Sequence, residues 1–354
     1  MTHRAVIAGV TGIVGNNLAS LLVSEGWEVF GLARNPDAGL AGVRPIAADL
    51  LEPESARAAL EGVDPTHVFL TTWLRQPTEA ENCRVNRAMV RNLLDGIEPG
   101  GSLRHVALVT GLKHYLGPFE SYATGKPETP FREEMPRLPV ANFYYDQEDE
   151  VFEAAARRGF TWSVHRPHTI IGYARGNAMN MGVTLAVYAS LCRANGLPFV
   201  FPGSPQQWSG LCDVTDARIL AKHLAWASTT EAGANEAFNV VNGDIFRWEW
   251  LWPRLAADFG LDPAPYPGHA TPLEPVLAAE AGAWATLAAR HGLLEPDLTR
   301  LASAWHTDMD LGRPMEVVTD MTKSRLAGFH AYQPTLGSFL DLFARLRADR
   351  LIPG

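Results

Sequence analysis

The stretch Gly9-Val10-Thr11-Gly12-Ile13-Val14-Gly15 constrains this chain more than any other. The short apolar run Ala5-Val6-Ile7-Ala8 precedes it, and Asn16 to Glu25 follows with Leu18, Leu21 and Leu22 at helical spacing. A strand, a turn with glycine at every third position and a helix together make a dinucleotide-binding unit. Gly9 permits the tight turn, Gly12 lets the backbone approach a pyrophosphate, and Gly15 lets the helix pack close to the strand. With Thr11, Ile13 and Val14 between the glycines, the free N–H groups at the helix start face the phosphate charge.

Further units follow in order. Trp27 to Ala33 reads as a second strand ending at Arg34-Asn35-Pro36. A site for NAD usually has an acid here for the ribose hydroxyls, whereas a guanidinium pairs with a 2′-phosphate, so the expected cofactor is NADP(H). Val43 to Leu50 reads as a third strand whose Asp49-Leu50 pair borders an adenine pocket. The fourth, Thr66 to Thr72, puts Thr71, Thr72 and Trp73 at its carboxyl end, and the fifth, His105 to Val109, ends in Thr110-Gly111. Helices are expected at Glu54–Leu60, Glu79–Ile97, Tyr145–Arg158, Asn180–Cys192 and Asp216–Ser228, with strands at Thr161–His165 and Ala237–Val241. This alternation requires a parallel sheet covered on both faces. Between His114 and Asn142 the pattern breaks into Pro-, Gly- and charge-rich sequence, and Gly117 to Val140 reads as a substrate-side loop.

The fold class is therefore α/β: a Rossmann-type doubly wound parallel sheet with a smaller, mostly helical C-terminal substrate cap. Residues 1–172, joined by 213–243, form the dinucleotide-binding part, and 173–212 with 244–354 form the cap. Trp248, Trp250 and Trp252, two apart, read as packing residues. At 47% hydrophobic composition the 354 residues suffice for a large core. The net charge of −9 argues against a nucleic-acid partner. The opening residues leave no room for a signal peptide, no apolar run is long enough for a bilayer, and Cys83, Cys192 and Cys212 form no even framework. These features fit a cytoplasmic protein away from membranes.

An ordinary short-chain dehydrogenase opens a helix with its catalytic tyrosine and places lysine four residues later on the same face. Here Tyr145 is followed at that distance by Asp149, and Tyr144 by Glu148. The usual device is missing, but Lys113 at the end of the fifth strand can bring an ammonium from another element. His165 and His168, split by Arg166-Pro167, suggest a core or loop role, and no metal site is expected.

Thr110 to Glu120, Asn142-Phe143-Tyr144-Tyr145 and Trp162 to Pro167 resemble the progesterone 5β-reductase/iridoid synthase-like enzymes, atypical extended short-chain dehydrogenases. The resemblance runs from the first glycine motif to about Asn242 and, more weakly, through Met321 to Ser324. It implies an NADPH-dependent ene-reductase that adds hydride to the β-carbon of an α,β-unsaturated carbonyl compound. By position, Tyr145 becomes the catalytic tyrosine that stabilises the enolate, with Lys113 assisting. Arg34, Asp49-Leu50, Tyr145, Pro167, Ile170 and Met179-Asn180 fall on the cofactor, and Trp73, His114, Trp305 and His306 on the substrate. His306 stands where relatives have an aromatic residue, so a sterol or terpenoid preference is not implied. The expected partner is a small enone or enal, with a homodimer among the assemblies allowed. A carbonyl reductase and a non-catalytic NADP sensor are the alternatives.

Overall fold

The computed structural model describes residues 3–36, 40–98, 101–121, 126–176 and 178–354. Among them, seven parallel strands line up as β3-β2-β1-β4-β5-β6-β9, the doubly wound order in which the chain reverses direction beside β1. They are β1 (Arg4–Ala8), β2 (Glu28–Ala33), β3 (Val43–Ala47), β4 (His67–Leu70), β5 (His105–Val109), β6 (Thr161–Pro167) and β9 (Glu236–Val240). The register pairs Ala8 with both Leu32 and Leu70, Leu70 with Leu108, and Val109 with His165. Gly9, Arg34, Thr71 and Thr110 consequently leave the sheet along one edge.

Two buried clusters sandwich the sheet. One packs α1 (Ile13–Ser24) and α8 (Ala217–Thr229) on one face; the other packs α2 (Pro53–Leu60), α3 (Glu79–Asp95) and α5 (Phe143–Arg158) on the opposite face. Between α3 and α5 in sequence comes the single turn α4 (Lys113–Leu116). A third cluster lies in the C-terminal half and is built on α6 (Met181–Asn195), α7 (Pro205–Ser209), α9 (Trp248–Asp258), α10 (Leu273–Ala279), α11 (Ala281–His291), α12 (Leu298–Leu301) and α13 (Ala304–Leu311). The short α14 (Thr322–Leu326) contacts β9, and α15 (Thr335–Ala348) packs on α6 and α9.

Several boundaries differ from the sequence reading, each for a local reason. β3 stops at Ala47, because Asp49 turns the chain by accepting the Leu51 N–H at 2.9 Å. Asn142 caps α5 by accepting the Tyr144 N–H at 3.1 Å, so the helix starts at Phe143 and Tyr145 is not its opening residue. Asn180 likewise caps α6, accepting from Val183 at 3.3 Å, and donates to Gly172 C=O at 2.7 Å. A two-residue parallel pair, β7 (Ile170–Ile171) with β8 (Thr215–Asp216), carries too little periodicity to be read in advance. Trp248 and Trp252 are buried on α9, whereas Trp250 is exposed under the Arg254 guanidinium.

A line of hydrogen bonds crosses the α8 face in one direction. The Thr161 hydroxyl gives its proton to Arg104 C=O, so His105 Nδ1–H must donate to it at 2.8 Å. His105 Nε2 then accepts from Ser163, Ser163 from His165 Nε2–H, His165 Nδ1 from His223 Nδ1–H, and His223 Nε2 from Ser324. Burial holds His105 and His223 down at about 3, and His165 well below the ordinary imidazole range.

Candidate active site

A cleft of about 530 Å³ opens at the carboxyl ends of β1, β4, β5 and β6. A smaller one of about 220 Å³ adjoins it, sharing Gly9, Thr11, Arg34, Thr72 and Trp73 and ending at Asp49, Leu50 and Met89.

The glycine turn has the shape a dinucleotide needs. Gly9 sits at φ +86°, and a Cβ there would stand 2.7 Å from Thr72 Cβ; a Cβ on Gly15 would stand 2.3 Å from Gly9 O. Gly12 is the N-cap of α1 and supplies no side-chain cap, so the first N–H groups of the helix remain available for an anion. Thr11, Ile13 and Val14 line the large cleft beside Gly9 and Gly12, while Gly15 lies behind the turn. Arg34 and Asn35 are exposed at the mouth of the smaller cleft. Residues and shape fit a dinucleotide whose adenine end lies toward Asp49 and Leu50. Thr71, Thr72, Trp73, Thr110, Gly111, Pro167, Ile170 and Met179 also line the large cleft. Asn180 does not, because its side chain is spent on capping α6.

The tyrosine assignment changes. Tyr145 does not line the cleft: its hydroxyl donates to His114 C=O at 2.7 Å and accepts the Leu138 N–H at 3.0 Å, in a buried site under Arg137. Tyr144 lines it instead, half-buried, with its hydroxyl 3.2 Å from where a Cβ on Gly111 would stand. Matching the apolar positions Val151, Phe152 and Ala155 selects the tyrosine that faces the core, whereas a reacting phenol must face a cavity. The lack of a side chain at Gly111 was the available signal for Tyr144.

Four residues after Tyr144, where lysine is usual, stands buried Glu148. Its Oε2 accepts from Arg137 at 2.8 Å and its Oε1 lies 3.7 Å from Arg166. The cation comes from Lys113 at the start of α4, whose C=O accepts from the Asn142 side chain at 2.8 Å. Lys113 Nζ is buried against the rings of Phe119 and Phe143, 4.4 and 4.5 Å from their centroids. Burial lowers its pKa, opposed by the Glu79 carboxylate 3.2 Å away. The sequence carried no local sign of Glu79, which comes from α3.

The substrate expectations divide. Trp73 and His306 line the cleft; His114 and Trp305 do not. His114 is buried, with Nε2 3.2 Å from Met135 C=O, and burial holds it down at about 3. Trp305 covers Phe119 edge-on at 5.4 Å and lies under the Arg75 guanidinium. Of the loop Gly117 to Val140, Phe119 lines the cleft and residues 122–125 lie outside the described residues. Phe131 is pinned farther off, its N–H to Val318 C=O and its C=O to the Asp320 N–H, both at 2.9 Å. Among the described residues of this loop, Phe119 is the one that lines the cleft, and the pinned segment does not reach it.

The α13 side of the cleft had no sequence signal beyond His306. Asp310 and Arg313 form a buried ion pair there; Thr169 donates to Asp310 at 2.6 Å, and Arg313 to His168 Nε2 at 2.6 Å. His168 passes its Nδ1–H to Asp213 at 2.8 Å.

The chain resembles solved nucleotide-sugar enzymes in fold. It superposes on a UDP-glucose 4-epimerase from Thermotoga maritima with a TM-score of 0.70 at 13% identity, covering 98% of this chain and 99% of that one. For WbmG of Bordetella bronchiseptica, in complex with NAD and UDP, the TM-score is 0.68 at 15% identity, with 99% and 97% covered. The likeness is one of fold, a Rossmann-type doubly wound sheet. In sequence, the chain is 37% identical to an (S)-8-oxocitronellyl enol synthase of Nepeta racemosa and 38% identical to a 3-oxo-Delta(4,5)-steroid 5-beta-reductase of Arabidopsis thaliana, each spanning 99% of this chain and 93% of the relative. Residues 49–353 match the model of the PRISE-like Rossmann-fold domain, and the chain belongs to that family.

Proposed function

We propose that this chain is an NADPH-dependent ene-reductase acting on α,β-unsaturated carbonyl compounds. The observation that carries the reading is that Tyr144 and Lys113 line one cleft with the dinucleotide cradle, with Glu148 where an ordinary short-chain dehydrogenase has lysine. The steroid 5-beta-reductase and enol synthase names of the full-length relatives support the same reaction class.

The reduced dinucleotide, when bound, supplies hydride. The Gly9–Gly15 turn and the start of α1 would hold its pyrophosphate, Asp49 and Leu50 its adenine end, and Arg34 with Asn35 the 2′-phosphate of NADP. Addition at the β-carbon drives negative charge onto the carbonyl oxygen. The Tyr144 hydroxyl meets that charge as a hydrogen-bond donor, and the Lys113 ammonium in the same cleft favours the phenol's giving up its proton. Phe119, Phe143 and Trp73 keep water from the cation.

The deciding experiment is NADPH oxidation against a panel of enones, enals and saturated ketones, with deuteride-labelled NADPH and product identification. Label on the β-carbon supports 1,4-reduction. Label on the carbinol carbon would make the chain a carbonyl reductase and overturn the reading.

A further inference from the structure

The cleft has two unlike walls. One is the cradle with Tyr144 and Lys113; the other carries His306 and Asp310, one turn apart on α13, and Arg313 just beyond. On that second wall most groups are committed to one another. Asp310 is an ion-paired carboxylate: burial alone would raise it, but the Arg313 charge, His306 and the Thr169 hydroxyl hold it below the usual range. A guanidinium keeps its protons near neutrality, and the Nδ1–H of His168 is held by Asp213. His306 differs, because its Nδ1 is buried with no hydrogen-bond partner among the described residues. His306 also lines the cleft, and an imidazole can give or accept a proton through its ring nitrogens. His306 is therefore the one group on this wall, among the described residues, suited to proton transfer.

Saturating a C=C bond needs a proton at the α-carbon as well as hydride at the β-carbon. A flat enone between the walls turns one face to the cradle and the other to α13. We propose that His306 is the acid that protonates the α-carbon, on the face opposite the hydride, so that this chain finishes at the saturated carbonyl compound. The relatives include enol synthases, whose names stop one proton transfer earlier. The inference rests on the enone-reduction reading.

The step balances. Hydride forms the β C–H bond, and the displaced π pair moves to the carbonyl oxygen beside Tyr144. The His306 N–H bond breaks, the enolate C=C pair forms the α C–H bond, and C=O re-forms. Neutral His306 regains its proton from water.

The test uses an α-methyl enone, whose reduction creates a stereocentre at the α-carbon, with NADPH in D₂O. The parent should place deuterium there in one configuration, anti to the hydride. His306→Gln and His306→Phe should slow turnover by roughly 10²-fold or more, the scale of a lost general acid, and scramble the α-configuration as the enolate escapes to water. A second readout needs no hydride transfer: exchange of the α C–H of the saturated ketone in D₂O, in the presence of NADP⁺. The parent should exchange one α-hydrogen and the variants none, while both variants keep the parent's affinity for NADP⁺ as a check of folding. Variants that retain the parent's α-configuration and exchange rate overturn the assignment. Should the parent reduce no enone, the enone reading fails on its own, and absence of exchange in the parent would then overturn the role of His306 separately.

Discussion

Lys113 Nζ lies 3.2 Å from Glu79 Oε2 and 3.3 Å from Oε1, and the same carboxylate accepts the Phe143 N–H at 3.0 Å. One acid from α3 thus holds both the cation and the first turn of the helix that carries Tyr144. It also opposes the desolvation that lowers the Lys113 pKa.

Glu79→Gln removes that opposition, so burial dominates and the ammonium deprotonates at lower pH. If turnover needs charged Lys113, the alkaline limb of the kcat/KM profile should move to lower pH, while Lys113→Met should flatten that limb and cost roughly 10- to 150-fold, the span of a charge-assisted contact. An unmoved limb in Glu79→Gln would show that Lys113 does not set it.

The adjacent tyrosines should behave oppositely. Tyr144→Phe should lower kcat by roughly 10²–10³-fold, as for one lost oxyanion donor, with stability kept. Tyr145→Phe strands the His114 carbonyl and the Leu138 N–H, costing about 1–3 kcal/mol of stability with little change in kcat. Urea unfolding and steady-state kinetics on the two variants read both quantities; the reverse pattern would restore Tyr145.

Arg34→Ala should raise the apparent constant for NADPH by roughly 10- to 150-fold and leave that for NADH nearly unchanged, because only NADPH offers a 2′-phosphate for a charge-assisted pair. Equal losses for both cofactors would remove Arg34 from the 2′-phosphate role.

The buried histidines make a pH prediction whose sign is definite. Their folded-state pKa values are depressed, to about 3 for His105 and His223 and about 4 for His67, so the unfolded chain binds protons that the folded one refuses. Stability should be fully present above the unfolded histidine value of about 6.5 and fall as pH drops from there toward the folded values. Each tenfold difference in proton affinity between the two states is worth about 1.4 kcal/mol per group. Denaturant unfolding at pH 8, 6.5 and 5 measures it. A flat profile between 6.5 and 5 would contradict the buried, neutral line of imidazoles.

The sheet was legible because alternation of apolar strand and amphipathic helix repeats along the chain, and the glycine turn because only glycine tolerates the Gly9 and Gly15 contacts. Arg34, Asp49, Thr71 and Thr110 followed from being at strand ends. The side chains that complete the site were not legible for a different reason. Glu79 reaches Lys113 across 34 positions and Asp310 reaches Thr169 across 141, and no local pattern encodes such distances. Choosing between Tyr144 and Tyr145 required knowing where Asn142 starts the helix, a matter of a single residue.

Glu148 limits what its own position can hold. Lysine at that position would bury a third cation against Arg137 and Arg166, and buried like charges without a partner are strongly unfavourable. The ordinary tyrosine–lysine arrangement therefore does not fit this pocket while both arginines are present. Glu148→Lys on its own is therefore expected to lower stability, and lysine at 148 becomes tolerable only when Arg137 and Arg166 are changed with it.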